Sequence, residues 1–301
     1  MSGVDPEAAV RSCYSTWGDT YFDDYYGDAA PYPPVHVDLV RGLLADAGAR
    51  NVLDAGCGPA SMLRVLPADI DRYGFDLTPE MIEVARRVLG EQGVAEDHLW
   101  IGSVTDPGAF RTPPGGNGYD AAICVGVLPH VPPDADEVVL TYLRDVVHPG
   151  GLVVVEARNQ LFSLFTMNRY SHELFLDGLV PVDRLRAMAE PEEAPALEAG
   201  LAELRSMFRT DLPPIRGGKS DEPGYDEVLS RTHHPLVLRD QMAALGFVDL
   251  RVLFYHWHAL PPLIGSQVPE LQRRASVAIE DPHDWRGLVM ASAFLVAGRR
   301  P

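Results

Sequence analysis

A short apolar segment that ends in closely spaced glycines constrains the fold of this chain more than any other feature. Residues 50–55 are typical of a β-strand, and the turn after them places Gly56 and Gly58 around a single cysteine. Because glycine has no Cβ, a ligand can approach the backbone of such a turn closely. The amides that follow are expected to open a helix, whose N-terminus favours a negatively charged group. Asp76 lies 18 residues after Gly58, at the end of the next predicted strand, where a carboxylate can accept both hydroxyls of a ribose.

Two other interpretations of this turn compete with a nucleoside site. A dinucleotide site has the fingerprint G-x-G-x-x-G. Here Ser61 stands where the third glycine belongs, and Asp54 precedes the turn. A tight connection between a strand and a helix would also use glycines without any ligand. The acid at the expected distance makes this purely structural interpretation the less favoured one.

Short apolar strands and amphipathic helices alternate along much of the chain. Strands are predicted at 50–55, 71–76, 98–102, 119–125, 152–156, 248–259 and 288–297, and helices at 35–47, 62–66, 79–89, 138–147 and 235–245. This alternation implies βαβ units and a mostly parallel sheet that helices cover on both faces. We predict an α/β fold of the Rossmann-like, doubly wound type with a seven-stranded sheet.

Two segments lie outside this pattern. Residues 1–34 are predicted to form an N-terminal helical cap, in which Tyr14, Trp17, Tyr21 and Tyr25 have the spacing of one helix face. Residues 158–232 are predicted to be a helical insertion that forms a lid over the substrate. Its predicted helices lie at 161–176, 183–190 and 195–208, and a loop rich in proline and glycine lies at 211–224. The predicted core then consists of residues 35–157 and 233–301.

Five segments resemble the motifs of the class I S-adenosylmethionine-dependent methyltransferases. They are VLDAGCGPA at 52–60, YGFDLTPEMIEVAR at 73–86, VTD at 104–106, YDAAICVGVLPHV at 119–131 and VVHPGGLVVVEAR at 146–158. The resemblance covers about residues 30–157, with a weaker echo at 235–296. It implies S-adenosylmethionine as the methyl donor, with no metal, and says little about the substrate.

The resemblance also implies which positions contact the cofactor. The methionine part would meet Asp54, Gly56, Val125 and Gly126, the ribose would meet Asp76, and the adenine would meet Leu77 and Met81. Gly58 would let the cofactor approach the backbone closely, and Ala55 is a further candidate contact. Similar enzymes often carry Asp or Asn after the strand predicted here at 98–102, where it bonds the adenine amine. Ser103 holds that position, so the adenine contact stays open among Ser103, Val104 and Asp106.

An N-terminal helix closes over the cofactor in similar enzymes, which makes Tyr14 and Tyr21 further candidate contacts. Aromatic rings near a sulfonium gain roughly 0.5–2 kcal/mol from cation–π attraction. The same aromatic stripe is also typical of an ordinary helix face that packs on a core.

Three histidines are candidate catalytic residues. A general base is needed only when the methyl acceptor is a hydroxyl, an ammonium or an acidic carbon. His130 follows the strand predicted at 119–125 and is a candidate base and cofactor contact, or a residue that merely caps its loop. His233 and His234 lie at the exit of the insertion, which should fold back over the pocket, and a structural role is equally open for them.

Two further groups of rings are open to a functional interpretation. His256 and His258 alternate on a predicted strand and so share a face, a spacing that can chelate a metal. No third ligand can be assigned, so we expect no metal there. The candidate wall of the acceptor site consists of Phe162, Phe165, Tyr170 and His172. These side chains are alternatively the apolar face of a helix that packs on the sheet.

The composition narrows the class of partner. The net charge is −18, from 25 Lys and Arg against 43 Asp and Glu, which disfavours nucleic acid and anionic membranes as partners. The three cysteines include no CxxC pair, which fits a reducing compartment. The sequence shows neither the basic n-region of a signal peptide nor a run of roughly 20 apolar residues that could span a membrane. We therefore expect a cytoplasmic, soluble protein.

We therefore predict a methyltransferase that acts on a small molecule, with a hydroxyl acceptor favoured over nitrogen or carbon. High use of Ala, Gly, Pro, Arg and Asp is typical of GC-rich bacterial genomes, in which similar enzymes often serve natural-product biosynthesis. The alternatives are an RNA or protein methyltransferase and a protein that binds the cofactor without catalysis. A homodimer also remains open.

Overall fold

The strands form one mixed sheet. A computed structural model of the chain describes residues 5–17, 20–27, 30, 32–213 and 228–301. Its strands are β1 Asn51–Ala55, β2 Asp71–Asp76, β3 Leu99–Ile101, β4 Tyr119–Cys124, β5 Val147–Arg158, β6 Val248–Trp257 and β7 Ala291–Arg299. Across the described residues these seven strands follow the order β3-β2-β1-β4-β5-β7-β6, and only β7 runs antiparallel to its neighbours. The predicted seven-stranded, mostly parallel sheet is confirmed.

Helices pack on both faces of this sheet. They are α1 Pro6–Tyr14, α2 Tyr21–Tyr25, α3 Val35–Ala47, α4 Pro79–Gly90, α5 Asp136–Val146, α6 Ser163–Thr166, α7 Arg169–Glu173, α8 Val182–Met188, α9 Ala194–Ser206, α10 Pro235–Ala244, α11 Pro262–Gly265, α12 Pro269–Ala278 and α13 Gly287–Met290. Among the described residues, no helix is both long and apolar enough to cross a bilayer.

Two apolar cores lie on opposite faces of the sheet. Helices α3 and α4 contribute Leu44 and Ile82 to one core, and α5 and α10 contribute Leu140 and Met242 to the other. Strand β5 supplies both cores by alternation, with Leu152 and Val154 on one face and Val153 and Val155 on the other. A continuous apolar strand is therefore stable here because both of its faces are covered.

The strand order changes direction next to β1. Strand β2 flanks β1 on one side, and β4 flanks it on the other. The connections from β1 and β4 leave in opposite directions, which opens a crevice at the carboxyl ends of these strands. The glycine turn predicted to bind a ligand follows β1 directly and so lies at this crevice.

The helix expected after the glycine turn is reduced to one turn. The prediction placed its start at 62–66, but only a 3₁₀ turn forms, at Leu63–Val65. Ala60 has a φ of 61°, in the left-handed region that a right-handed helix cannot include. Leu66 is already extended before Pro67, as residues that precede proline usually are. The segment between these two points is too short for an α-helix.

The predicted N-terminal aromatic helix is also interrupted. Helix α1 ends at Tyr14, and α2 begins only at Tyr21, so the four aromatic residues do not share one continuous helix. The intervening sequence contains Gly18 and Asp19, both residue types with low helix propensity. These two residues lie outside the described part of the chain.

The insertion contains shorter helices than expected. The helix predicted at 161–176 is divided because Met167 adopts a left-handed φ of 54° after α6. Asn168 then caps α7 by accepting a hydrogen bond from the amide of Tyr170. A π-helical stretch, Leu174–Leu179, continues from α7. Most of the loop predicted at 211–224 lies outside the described residues.

The two ends of the insertion meet at the core. Asn159 and His233 form a parallel β-bridge. Residues 258–290 hold α11, α12 and α13, for which the sequence indicated only a break at 261–262. Pro269 and Glu270, a proline and an acid in a first turn, were the available signal for α12.

Candidate active site

A cavity lies at the carboxyl ends of β1, β2 and β4, and its empty space, counted together with the open solvent at its mouth, is about 940 Å³. Of the predicted cofactor contacts, those that line it are Tyr14, Tyr21, Asp54, Gly56, Gly58, Asp76, Leu77, Met81, Ser103, Val104, Val125, Gly126 and His130. Ala55 and Asp106 do not line the cavity.

The glycine turn forms the floor of the cavity. The amides of Gly56 and Cys57 both donate to the carbonyl of Phe75, at 2.8 and 2.9 Å. Gly58 has a φ of 53°, and a Cβ built there would meet no atom within 4 Å. Its amide donates to Asp76 Oδ2 at 2.9 Å. Because that amide is engaged and no α-helix opens behind the turn, the phosphate site that a dinucleotide needs is not formed by this turn.

Asp76 is oriented by two backbone amides. Besides the bond from Gly58, its Oδ1 accepts from the amide of Thr78 at 2.8 Å. Removal from solvent raises the pKa of Asp76, while these two bonds and a third from the Thr78 side chain act to lower it. A carboxylate has about four lone-pair positions, so Asp76 keeps acceptor capacity for a ribose hydroxyl.

Asp54 lies fully buried at the end of β1 and also lines the cavity. Burial, followed by repulsion from Asp76, raises the pKa of Asp54 to about 8. A cation bound nearby would favour the ionised carboxylate and reverse this shift. The floor of the cavity is therefore suited to a positively charged ligand.

The loop after β4 closes the opposite end of the floor. Gly126 has a φ of 76°, and its amide donates to Glu156 Oε2 at 2.6 Å. Glu156 is buried at the end of β5 and also bonds the hydroxyl of Tyr255. Val125 and Gly126 line the cavity at this end, and the Gly126 amide is already engaged with Glu156.

The acid next to the loop after β3 that lines the cavity is Glu7 and not the candidate Asp106. Asp106 accepts from the amide of Gly108 at 2.9 Å as the cap of the next turn, so its carboxylate serves the loop and not the cavity. Ser103 and Thr105 instead donate their hydroxyls to one oxygen of Glu7, at 2.5 and 2.7 Å. Glu7 lines the cavity and was missed by sequence reasoning, because nothing local links residues 96 positions apart.

The described N-terminal residues 5–17 and 20–27, here called the strap, lie over the cavity. Glu7, Val10 and Tyr14 line it from one face of α1, at the spacing i, i+3, i+7. Tyr21 and Tyr26 line it further along the strap. The rings stay together despite the interrupted helix, since the centroid distances are 6.1 Å for Tyr14–Tyr21 and 6.4 Å for Trp17–Tyr21.

His130 connects the strap to the core. Its Nδ1 lies 2.6 Å from the carbonyl oxygen of Leu229, and its Nε2 lies 2.9 Å from the hydroxyl of Tyr14. A carbonyl only accepts, so Nδ1 carries the proton and Nε2 accepts from Tyr14. Burial lowers the pKa of His130 to about 4, which keeps the ring neutral at pH 7.

His233 and His234 do not reach the cavity, which contradicts the expectation that their segment folds over it. His233 is buried, with Nε2 3.3 Å from Asp136 Oδ2, beside the ion pair between Asp136 and Arg231. His234 is the N-cap residue of α10. Both histidines therefore lie in a packed junction, and their contacts there favour a structural role.

The predicted acceptor wall does not line the cavity either. Phe162 packs on His258 with 4.5 Å between centroids, and His172 packs on Phe208 at 6.1 Å. Tyr170 is 43% exposed, and Phe165 lies 6.4 Å from Phe162. The division of the predicted helix separates these side chains into two groups away from the cavity.

His256 in β6 and His258 just after it both pack against Tyr32, at 5.4 and 5.2 Å between ring centroids. His258 Nδ1 bonds the hydroxyl of Tyr32 at 3.1 Å. Within the described residues, no three His, Cys, Asp or Glu side chains are grouped as metal ligands. The pair therefore belongs to a ring cluster.

Several known proteins are similar to part of this chain. Residues 52–151 match the sequence model of a family described as a methyltransferase domain. The ubiquinone biosynthesis O-methyltransferase of Xanthomonas axonopodis pv. citri is 33% identical over 140 residues, 44% of this chain and 53% of that protein. The protein of the same name from Xylella fastidiosa (strain M23) is 31% identical over 135 residues, 44% and 52% of the two chains. The chain thus spans about half the length of the curated relatives it matches.

A solved structure agrees in fold. The magnesium protoporphyrin IX methyltransferase of Synechocystis PCC 6803, with bound SAH, has a TM-score of 0.51 and 16% identity to this chain. The superposition covers 99% of this chain and 100% of that one, and at this identity the likeness concerns the fold alone. The sheet order and the matched domain define a Rossmann-like methyltransferase fold. Residues 52–151 thus match a methyltransferase domain, and the chain has the class I methyltransferase fold.

S-adenosylmethionine, the cofactor of this family, fits the residues of the cavity. A side chain at position 58 would project into the space that Gly58 leaves open. Asp54 can face the cationic methionine end, and Asp76 has lone pairs left for the ribose. The apolar side chains of Leu77 and Met81 line the cavity beyond Asp76 and suit a planar base.

Proposed function

We propose that this chain is a methyltransferase that transfers a methyl group from S-adenosylmethionine to a hydroxyl of a small molecule. The observation that carries the proposal is the placement of Asp54 and Asp76 on either side of the glycine turn, in a cavity beneath the strap. The matched methyltransferase domain covers the same elements, from β1 into β5.

In this proposal the cofactor supplies an electrophilic methyl group on sulfur, and the chain binds and orients it. Asp76 accepts the ribose hydroxyls, and Asp54 holds the amino group of the methionine part. Val125 and Gly126 line the same end. Tyr14 and Tyr21 exclude water from above, which in-line displacement requires.

Two observations support a hydroxyl acceptor. The curated relatives are named O-methyltransferases. The second is the neutral Nε2 of His130, which accepts the Tyr14 proton. The acceptor hydroxyl would pass its proton to Tyr14 Oη, and Tyr14 would pass its own to His130 Nε2, while the methyl group would leave the sulfur for the acceptor oxygen. A small acceptor in bacterial natural-product biosynthesis, in a cytoplasmic enzyme, completes the proposal.

Calorimetry with S-adenosylmethionine and its demethylated product tests the cofactor step. Asp76→Ala should weaken binding of both ligands by about 1.5–3 kcal/mol, because a charged hydrogen bond to the ribose is lost. Asp71→Ala is the matched control, since Asp71 lies exposed at the opposite end of the same strand. An affinity equal to that of the control would contradict the ribose assignment.

Transfer of a labelled methyl group to phenols, amines and active-methylene compounds tests the acceptor step. Label in a methyl ether supports the proposal. Label only in bulk RNA or a protein substrate would replace the small-molecule acceptor with a macromolecule. Tight cofactor binding without transfer to any acceptor class would leave a cofactor-binding protein without catalysis.

A further inference from the structure

We propose that Glu7, on the first turn of α1, recognises the exocyclic amino group of the cofactor's adenine. This inference rests on the proposed function and adds a residue that selects the base. The acid comes from the strap, not from the loop after β3.

The positions of the other acids fix which end of the cavity receives the base. Its described lining includes three acids, Glu7, Asp54 and Asp76. Asp54 ends β1 beside β4, and Asp76 ends β2, so a nucleoside whose ribose meets Asp76 and whose charged tail meets Asp54 extends its base toward β3. Glu7 is the acid at that end, because it bonds Ser103 and Thr105 just after β3.

The walls at that end suit a flat heterocycle. Val10, Leu77, Met81 and Val104 line the cavity there with apolar side chains. An apolar slot holds a ring by contact but does not distinguish one purine from another. A polar group at its edge is what gives specificity.

Two hydroxyls hold the carboxylate of Glu7 in a defined direction. Ser103 and Thr105 both donate to its Oε1, and the Ser103 oxygen in turn lies 3.1 Å from the amide of Thr105. A carboxylate is acceptor-only, so its remaining lone pairs can accept from a donor on the ligand. The amino group of adenine is such a donor, whereas the carbonyl of hypoxanthine is an acceptor and would be repelled.

The arrangement also accounts for the residue types after β3. A carboxylate at position 103 or 105 would place a second negative charge against Glu7, whereas hydroxyls donate to it. Asp106, the acid nearest in sequence, already accepts from Gly108. The recognition acid is thus supplied 96 residues earlier in the chain.

The test compares two ligands that differ only in this part of the base, S-adenosyl-L-homocysteine and S-inosyl-L-homocysteine. We expect the wild-type protein to prefer the adenine ligand, and Glu7→Gln to reduce that preference by roughly tenfold, the scale of one hydrogen bond to a charged group. Glu80→Gln is the matched control, because Glu80 also follows a proline at the start of a helix but is exposed and outside the cavity. Its preference should equal that of the wild type.

A second variant keeps the test decisive. Thr105→Val removes one donor to Glu7 without changing the shape of the side chain, and it should reduce the same preference by a smaller factor. If Glu7→Gln weakens both ligands equally, Glu7 only fastens the strap, and the inference is wrong. An unchanged preference would likewise overturn it. Failure of the wild-type protein to bind either ligand would instead reject the proposed function itself.

Discussion

The strap and the insertion were both expected to cover the active site, and they differ in what they contact. Glu7, Tyr14 and Tyr21 of the strap line the cavity directly. Not one described residue of 158–232 lines it. The insertion instead reaches the site from behind, where the carbonyl of Leu229 bonds His130 and the amide of Arg231 bonds the carbonyl of Pro129 at 2.8 Å.

The strap and the insertion therefore have different roles, because the first closes the cavity and the second supports the loop that carries His130. The polar contacts that fasten the strap include those of Glu7 with Ser103 and Thr105 and that of Tyr14 with His130, and local opening can break such contacts one at a time. The end of the insertion is fixed by a buried charge cluster around Asp136. We infer that the strap admits the cofactor, while the insertion holds the His130 loop in place.

The largest expected effect tests the support role. Asp136→Ala should lower the free energy of unfolding by roughly 3–5 kcal/mol, because it leaves the Arg231 charge partly buried without its partner. Urea denaturation measures this change. Asp145→Ala is the control, since Asp145 pairs with Arg144 at the surface and should cost about 1 kcal/mol or less. Equal losses for both variants would contradict a special role for the Asp136 cluster.

The strands were predictable because their signals are local. The apolar run of β5 and the glycines after β1 lie in consecutive residues, so the fold class and the floor of the cofactor site followed from the sequence. Asp54 and Asp76 belong to the same local pattern.

The upper side of the site was not predictable, because its contacts join residues far apart in the chain. Glu7 meets Ser103, and His130 meets Leu229, through tertiary packing that no periodicity shows. Phe162 and His172 do not line the cavity, for the same kind of reason. An aromatic helix face indicates burial, but it does not say against which surface.

Acidification should destabilise the protein next to the strap. His36, which packs on Tyr26 of the strap at 5.0 Å, has its pKa lowered by burial to about 3. Burial likewise lowers the pKa of His256 and of His258 to about 4. Below pH about 6.5 the unfolded chain binds protons at these rings and the folded chain does not. The contribution of these three rings to stability is therefore full above that pH and decreases as the pH falls, by roughly 2 kcal/mol per histidine at pH 5.

Denaturation curves of the wild type and His36→Phe, recorded between pH 7 and pH 5, measure this effect. The variant removes a buried Nδ1 that has no partner among the described residues, so its stability should vary less steeply with pH. His148→Phe is the control, because His148 is partly exposed beside Asp120. Parallel pH dependence in His36→Phe and the wild type would show that His36 titrates alike in the folded and unfolded chains.

The smallest expected effect tests closure. Tyr14→Phe removes the hydroxyl that bonds His130 Nε2 but keeps the ring, so the strap should lose about 1 kcal/mol of its closed-state stability, the net scale of one hydrogen bond. Stopped-flow displacement of the demethylated cofactor should then show dissociation faster by roughly fivefold. Tyr170→Phe makes the same chemical change on the insertion, at an exposed position outside the cavity, and should leave dissociation unchanged. If the two variants release the ligand at equal rates, the strap does not control ligand release. The strap and the insertion would then not differ in the way proposed above.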